Sequence, residues 1–413
     1  MKYFKSIYQL SFLLVTLITF VFGGSIQYLF GLSNTVLTFF ITAYLFLVYG
    51  LYALLIQRVV VNRVVLIAIA YIFLILFTAA IRNSSLILTV TYLIFPLLPL
   101  AVYLFSFINY KEGYISFQRI FRTFFYIALI QLPVLLIQKS FYDVLIPFNN
   151  SNQRIEWFDF MFGTFFIKSD HSLGIFLLIV IAIILFKQEK VMGIIKWRYA
   201  SVIYLGITLF MTESNISKLI LVVILSTIII IPLYKRYSKT LKFKIVLSLL
   251  ALSIVSAGYL VRNTDFIQKR LGGSLQQQFS LKNAERYYEL GTAKRFHIVM
   301  VAYSKIKTKW IGDGPYSYFD IRTGKFKQTG HFTQLIWTYY DLGIFGLVIV
   351  FVYILGLISF LDINKGVPYL FFLGVFLVYS FYTTVFSDIA IIFGVFTIFN
   401  KIGQSQSKDH SYA

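Results

Sequence analysis

The sequence predicts an all-α polytopic membrane protein of about twelve transmembrane helices, with one large and partly helical extracytoplasmic loop. Three observations predict this class: of the 413 residues 59% are hydrophobic, only 13% are charged, and the mean hydropathy is +0.81. Soluble globular domains carry about 25% charged residues. The same composition excludes a disordered or fibrous chain. The lack of cysteine excludes disulfides, thiolate nucleophiles and Cys-ligated metal centres.

Twelve apolar stretches approach the length of about 20 residues that a helix needs to cross a bilayer core of roughly 30 Å. The first begins with Lys2 and Lys5 and lacks a small-residue cleavage site, so we expect a retained helix and not a signal peptide. Several stretches are short, and the pair around Ser214 could form one re-entrant hairpin, which would lower the count. The stretches lie near 6–23, 35–56, 64–81, 86–108, 123–139, 171–186, 199–213, 218–234, 245–261, 334–360, 369–386 and 388–400.

The basic residues predict the orientation. If the loops alternate across the membrane, nineteen Lys and Arg residues fall on one side and only five fall in the short loops of the other side. The positive-inside rule then places both termini in the cytoplasm. We expect a single transmembrane domain over residues 1–413, with a smaller extracytoplasmic loop at 140–170 and a large one at 262–333.

The large loop, 262–333, holds the remaining thirteen Lys and Arg residues and only five acidic residues, a net charge of +8. A loop of this length is exempt from the positive-inside rule, and the anionic lipids of the cytoplasmic leaflet lie on the opposite side. An anionic ligand, such as a phosphate or an acidic sugar, explains the charge better than membrane anchoring does. We therefore expect the function to reside in this loop.

Within the loop, residues 284–309 have apolar positions at helical spacing, with Arg286, Lys294 and Arg295 beside them. A turn containing Gly312 and Gly314 follows. These glycines permit a sharp change of direction and could leave backbone amides available to a ligand, although most such Gly-x-Gly pairs are simply turns.

His331 opens the next apolar stretch, and Gln334, Thr338 and Asp341 follow it on the same helical face. A polar stripe of this kind should turn away from lipid. The N-terminal end of a helix disfavours an imidazolium, so a neutral His331 could accept a proton as a general base. The alternative is an interfacial histidine that is hydrogen-bonded to the loop. His171 and His297 lack a comparable stripe, which favours a structural role for both.

Carboxylates at or inside the spans are few: Asp170, Glu213, Asp341 and Asp388. Because they are not clustered, we expect no metal site, and helix-end or ion-pair roles are the simpler interpretation. Four aromatic residues could stack on sugar faces or could belong to an interfacial belt. They are Trp157, Tyr316, Tyr318 and Trp337.

This pattern resembles the O-antigen polymerase and ligase superfamily of bacterial envelope polysaccharide enzymes, which are polytopic and GT-C-like. Its members have a late extracytoplasmic loop with an arginine, a Gly-x-Gly turn, and a histidine before a span that contains Gly-Ile-x-Gly. The matching residues here are Arg295, Gly312, Gly314, His331, Gly343, Ile344 and Gly346. Arg154 with Gly163, Thr164 and Phe165 looks like the earlier arginine and Gly-Thr-Phe loop of that family. One departure is that Ser214 is followed by Asn215 where the family often has a Ser-Arg pair, so Lys218 is the nearest cation.

The resemblance implies transfer of a glycan from an undecaprenyl diphosphate donor to an acceptor hydroxyl at the outer face of the bacterial cytoplasmic membrane, without a metal or another cofactor. Arg295 would stabilise the leaving diphosphate and His331 would activate the acceptor. The other candidate substrate-binding residues are Arg154, Lys218, Arg286, Lys294, Gly312, Gly314, Tyr316, Gln334 and Trp337.

Several alternatives stay open from the sequence. The polymerase and the ligase of the superfamily share these motifs, and about twelve spans are also compatible with a flippase for the same lipid-linked oligosaccharides. A non-catalytic assembly protein is the third alternative. Expected partners are the lipid-linked oligosaccharide, the bilayer, and in some systems a chain-length regulator and a flippase. No nucleic acid is expected.

Overall fold

The computed structural model describes most of the first half of the chain and several later segments. The described residues are 2–57, 59–153, 155, 157, 160–167, 170–186, 191, 193–212, 214, 216–222, 224–226, 280–289, 297, 300–301, 309–317, 319–320, 325–326, 334–360, 376–377, 379–380 and 384–399. These residues are mainly helical. The predictions for Arg154, Lys294, Arg295 and His331 lie outside them, as does the predicted stretch at 245–261.

Helices occupy the apolar stretches in chain order. A π-helical turn, Ile18–Phe22, joins α1 to α2, and a 3-10 turn, Ile146–Phe148, follows α8. The helices are α1 Lys2–Leu17, α2 Gly23–Phe30, α3 Asn34–Ile56, α4 Arg63–Ile81, α5 Leu86–Tyr92, α6 Ile94–Glu112, α7 Phe117–Ser140, α8 Tyr142–Leu145, α9 Asp170–Phe186, α10 Arg198–Met211, α11 Leu281–Glu289, α12 Gln334–Phe360 and α13 Ile389–Phe399. Two short strands, β1 Phe319–Asp320 and β2 Lys325–Phe326, pair antiparallel.

Within the described residues, six helical stretches are long and apolar enough to cross a membrane, by length and composition. They are Tyr3–Phe30, Asn34–Ile56, Arg63–Ile81, Leu86–Glu112, Phe117–Ser140 and Gln334–Ser359. Each overlaps a predicted span, so the predicted helical class is confirmed, and the length and composition of these helices are compatible with a membrane protein. Four shorter apolar helices, α9, α10, Ile216–Ser226 and α13, cover all or part of four more predicted stretches. The full number of twelve spans and the GT-C-like arrangement stay predictions.

Large apolar side chains face outward from these helices. Leu54, Leu86 and Ile87 are each at least 75% exposed, and Phe73 is 67% exposed. Extensive exposed apolar surface is unfavourable in water and marks a surface that contacts other apolar material, such as lipid. The outward-facing residues therefore support the membrane assignment independently of helix length.

Polar residues mark where the long helices begin and end. The side chains of Ser33, Asn62 and Ser116 each accept a hydrogen bond from a backbone amide in the first turn of α3, α4 and α7, respectively. Gly31 and Gly113 end α2 and α6 in the left-handed conformation, which glycine adopts without strain. The loops between these spans are consequently short.

Hydrogen bonds join the helix ends in the alternating pattern that consecutive spans require. At one end of the bundle Tyr52 donates to Glu112 at 2.7 Å and Gln9 donates to the Tyr114 carbonyl at 2.8 Å. At the other end the Asn150 amide donates to the Tyr28 carbonyl at 2.8 Å. The loop after α7 thus lies beside the loop after α2.

Helix α6 is the centre of the bundle. It packs along α3, α4 and α13, and most of its side chains are buried, as expected for a helix that is apolar on all sides. Aromatic residues fill the neighbouring core: Tyr8 stacks on Phe105, with ring centroids 4.3 Å apart. Phe20 lies against Phe124 and Phe176 at 5.3 Å and 4.9 Å.

The chain divides into two compact units. The first comprises Met1–Leu221, Trp310–Ser317 and Thr333–Ala413, and the second comprises Val222–Lys309 and Tyr318–Phe332. The second unit covers most of the predicted large loop. In its described part are α11, the buried residues His297 and Val301, and the two strands.

Candidate functional site

The turn that contains the predicted glycines is inserted into a break in α12. Gly343 has φ 75° and ψ −160°, which interrupts the helix. The Asp313 and Gly314 amides donate to the carbonyls of Tyr340 and Asp341 at 2.9 Å and 3.0 Å, and the Phe345 amide donates to the Trp310 carbonyl at 3.4 Å. The loop therefore replaces part of the missing helical hydrogen bonding with its own backbone groups.

Glycine is required here because two backbones approach closely. A Cβ at Gly312 would lie 2.2 Å from the Asp341 carbonyl carbon, and a Cβ at Gly343 would lie 2.5 Å from the Trp310 carbonyl oxygen. The sequence suggested that Gly312 and Gly314 leave backbone amides available to a ligand. In the structure the amides of Asp313 and Gly314 donate to carbonyls of α12, so the Gly314 amide is already used within the protein. A ligand-binding role for Gly312 and Gly314 stays a prediction.

Two further contacts hold the turn. Asp341 Oδ1 accepts hydrogen bonds from the Ser317 amide at 3.0 Å and from the Ser317 hydroxyl at 2.7 Å. Arg82, which follows α4, donates from Nε to the Gly312 carbonyl at 2.9 Å. The Asp341 carboxylate thus holds the loop against α12. This is a structural role, as was expected for the carboxylates at or inside the spans, although it is neither a helix cap nor an ion pair.

The predicted polar face of α12 is buried. Gln334, Thr338 and Asp341 are each at most 2% exposed. The oxygen of the Gln334 amide accepts from the Phe386 amide at 2.9 Å. The nitrogen of that amide, Asp341 Oδ2 and the Tyr71 hydroxyl are buried with no hydrogen-bond partner in the part of the chain that the structure describes. Such atoms are rare in folded proteins and require an explanation.

Tyr316 and Trp337, two predicted substrate-binding residues, lie together beside this face. Their ring centroids are 5.7 Å apart, and Tyr92 and Phe95 complete an aromatic cluster with them. Both residues are half-buried. Burial, with a smaller contribution from the Asp341 carboxylate, raises the pKa of the Tyr316 hydroxyl, so this group is neutral at physiological pH. Tyr92, Phe95, Tyr316 and Trp337 therefore form an uncharged aromatic cluster, which offers ring surfaces and the neutral Tyr316 hydroxyl.

A second polar cluster was missed by sequence reasoning. His171 Nδ1 is 3.0 Å from the Ser214 hydroxyl, which is 2.6 Å from the Ser217 hydroxyl, which in turn is 2.6 Å from the Tyr379 hydroxyl. The two serines and Tyr379 are fully buried. Each hydroxyl has a single proton, so the donors in the chain must point in a common direction, either toward His171 or away from it.

Close packing explains how this chain of hydroxyls forms. A Cβ at Gly174, on α9, would lie 2.1 Å from the Ser217 hydroxyl, so only glycine lets the two segments approach. Next to His171, Ser172 donates to the Asp388 carboxylate, which also accepts from the Ile391 amide at 3.1 Å and so caps α13. The expected helix-end role of Asp388 is confirmed.

Lys218 lies one turn beyond Ser214, and its amide donates to the Ser214 carbonyl at 3.2 Å. Its side chain is half-buried. Lys218 is therefore a close neighbour in sequence of Ser214 and Ser217, and its phosphate-binding role stays a prediction.

The Gly163–Thr164 segment is held by glutamines from the helices. Gln138 accepts from the Gly163 amide at 2.9 Å and donates to its carbonyl at 2.8 Å. Gln131 accepts from the Thr164 amide at 3.0 Å. The Thr164 hydroxyl donates to the Phe20 carbonyl within the π-helical turn. This loop is consequently an ordered platform, whereas Arg154 just before it lies outside the described residues.

In the second unit, Arg286 is exposed on α11. One residue later, the Tyr287 ring stacks on His297 with centroids 5.0 Å apart, and His297 is only 3% exposed. The structural role expected for His297 is confirmed by this packing. Arg286 has the exposure that a ligand-binding cation needs.

No group of three or more His, Asp or Glu side chains that could hold a metal ion occurs in the described ranges. No family model, no characterised protein and no solved structure matches the chain. Fold and site together define a helical polytopic membrane protein with buried polar clusters between its helices.

Proposed function

We propose that the protein polymerises undecaprenyl-diphosphate-linked oligosaccharide repeat units into a bacterial surface polysaccharide, such as O-antigen, capsule or exopolysaccharide. The reaction is an inverting glycosyl transfer that needs no metal. It takes place at the outer face of the cytoplasmic membrane, with both termini in the cytoplasm. The protein is therefore a glycosyltransferase with a polyprenyl-diphosphate glycan donor.

In the proposed reaction the diphosphate leaving group gains negative charge as the glycosidic bond breaks. Arg295, with Arg154 and Lys294, neutralises that charge in place of a divalent ion. His331 takes the proton from the acceptor hydroxyl as this oxygen attacks the anomeric carbon. Cations fixed beside the diphosphate lower the barrier because they interact more strongly with the transition state than with the bound donor.

One structural observation carries the proposal: the segment 310–317 of the cationic loop is fastened to the first turns of α12. The helix begins at Gln334, three residues after His331. Hydrogen bonds from Asp313, Gly314 and Ser317 make this attachment, and Arg82 holds it from the end of α4. This arrangement supports a functional site at that end of the bundle, where the loop meets the membrane-spanning helices.

Two other functions use the same ligand. A ligase of the same superfamily would transfer the finished glycan once to a different acceptor. A flippase would move the lipid-linked oligosaccharide without making a bond, and it would need polar residues along a central path through the bundle. The concentration of cations in a single loop favours the transferase.

Incubation of the purified protein with a synthetic undecaprenyl-diphosphate-linked repeat unit, in the presence of a metal chelator, tests the proposal. A ladder of products is expected, and Arg295→Ala and His331→Ala should each abolish it at equal protein level. Lys282→Ala, which removes an exposed cation from α11, is the matched control and should leave the ladder intact. A single addition to another acceptor indicates a ligase. Absence of any product from the unaltered protein contradicts both transferases.

A further inference from the structure

The buried face of α12 presents hydrogen-bonding atoms that its neighbours do not use. Asp341 Oδ1 accepts both bonds from Ser317, whereas Oδ2 has no hydrogen-bond partner among the described residues. Over the same ranges, Gln334 Nε2 also has none. Thr338 lies near the Tyr71 hydroxyl and Tyr92 lies near the Asp341 carboxylate, but neither contact has the distance and angle of a hydrogen bond, so the Tyr71 hydroxyl and Asp341 Oδ2 are unpaired by geometry. All three side chains are at most 2% exposed. Because an unpaired buried polar atom is costly, three such atoms in one region indicate a polar ligand.

The chemistry of the three atoms restricts the ligand. Asp341 Oδ2 is an acceptor, Gln334 Nε2 is a donor, and the Tyr71 hydroxyl can act as either. A phosphate would find no cation among these three side chains, and a metal cation would leave the donor Nε2 unsatisfied. Hydroxyl groups suit all three atoms, because a hydroxyl can donate to the Asp341 oxygen, accept from the Gln334 amide nitrogen, and do either with Tyr71.

The geometry suits a row of hydroxyls. Gln334 and Asp341 are seven residues apart on one helix, which separates them by about 10 Å along the axis. Thr338 lies between them on the same face, close to the Tyr71 hydroxyl. Tyr316 and Trp337 stand beside this face with half-buried rings. Carboxylate, amide and hydroxyl groups next to aromatic rings form the combination of groups that hydrogen-bonds and stacks on a sugar.

We propose that this face, made by Tyr71, Gln334, Thr338 and Asp341, is a hydroxyl-binding site that takes ordered water or the hydroxyls of the glycan. The glycan source rests on the proposed function, whereas the water source does not. The site separates two tasks: cations of the loop bind the diphosphate, and this face of α12 binds the neutral sugar. Gln334, Tyr316 and Trp337 thereby belong to sugar recognition and not to diphosphate binding.

Radiolytic footprinting of the purified full-length protein tests the site, because hydroxyl radicals formed from bound water oxidise buried side chains that touch it. Tyr71 should be oxidised several-fold faster than Tyr353, its neighbour at 6.1 Å between ring centroids. Tyr353 is equally buried, but its hydroxyl donates to the Pro96 carbonyl at 3.0 Å. Equal, slow oxidation of both tyrosines would overturn the proposal.

A second arm identifies the source of the hydroxyls. The measurement is repeated with the polyprenyl-diphosphate-linked oligosaccharide fraction extracted from producing cells. A several-fold fall in Tyr71 oxidation supports displacement of water by glycan hydroxyls, and an unchanged rate supports water alone. Neither result depends on polymerisation, so failure of the proposed function remains distinguishable from failure of the site.

Tyr71→Phe gives an independent measurement. If its hydroxyl is bonded to a ligand hydroxyl, the variant should melt at a lower temperature than the unaltered protein, as should Tyr353→Phe, which loses the bond to Pro96. If Tyr71→Phe melts at the same or a higher temperature, the hydroxyl is without a ligand and the proposal is wrong. Both variants remove one oxygen from an equally buried ring, so they are matched in volume.

Discussion

The Phe345 amide does not bond to the Asp341 carbonyl, as it would in an uninterrupted α-helix. It donates instead to the Trp310 carbonyl, and the Asp341 carbonyl accepts from the Gly314 amide. The positive φ of Gly343 turns the backbone of α12 between Asp341 and Phe345 and opens the gap. The loop fills this gap with one acceptor and one donor, so the break costs the helix little hydrogen bonding. A feature that resembles a ligand-binding glycine motif in the sequence is thus a joint between loop and helix.

Gly343→Ala should destabilise the protein by about 1–3 kcal/mol from backbone strain alone, because its conformation is accessible to glycine and to few other residues. The added Cβ would also lie 2.5 Å from the Trp310 carbonyl oxygen. Thermal unfolding in detergent measures the effect. Gly50→Ala is the control: Gly50 lies within α3 with no atom within 4 Å of an added Cβ. The control should gain about 0.5–1 kcal/mol, and equal melting of both variants would contradict the joint.

Loss of the Asp341 carboxylate should cost more than loss of the Ser317 hydroxyl. Ser317→Ala removes one donor and should cost about 0.5–1.5 kcal/mol. Asp341→Ala leaves both donors of Ser317 without their acceptor and should cost about 1–3 kcal/mol. The double variant should show a coupling energy of about 0.5–3 kcal/mol in a double-mutant cycle measured by chemical denaturation. Strict additivity of the two single effects would show that the contact between Asp341 and Ser317 does not stabilise the fold.

The chain of hydroxyls between His171 and Tyr379 should behave as one unit. Tyr379→Phe leaves the buried Ser217 hydroxyl short of a partner and should cost about 1–3 kcal/mol. Tyr204→Phe, which loses a bond to the Leu129 carbonyl in a partly buried position, is the milder reference. In a cycle with Ser217→Ala, the Tyr379 effect should shrink markedly, because its partner is already gone. An undiminished effect would mean that Tyr379 acts through packing alone.

Sequence periodicity predicted the six long helices because the length of an apolar run is a local property that decides whether a helix can cross a bilayer. It also predicted that Gln334, Thr338 and Asp341 share a buried face. It could not predict the joint at Gly343, since the partners are about thirty residues apart and nothing local distinguishes a ligand-binding turn from a docking turn. The pairing of His171 with Ser214 depends on how closely α9 approaches the segment that contains Ser214 and Ser217. The only trace of that approach in the sequence is Gly174, and an isolated glycine does not indicate which segment it contacts.

The orientation of the bundle can be tested with single cysteines, because the natural chain contains none. Phe148, after α8, is 58% exposed, and Val59, after α3, is 72% exposed. The positive-inside rule puts position 148 outside and position 59 in the cytoplasm. A membrane-impermeant maleimide should therefore label Phe148→Cys in intact cells and Val59→Cys only after permeabilisation. Because hydrogen bonds tie the loop after α7 to that after α2, and Arg82 to Gly312, the proposed outer site requires this result. The reverse labelling would put the joint of α12 on the cytoplasmic side. That result would contradict the proposed reaction, which takes place at the outer face of the membrane.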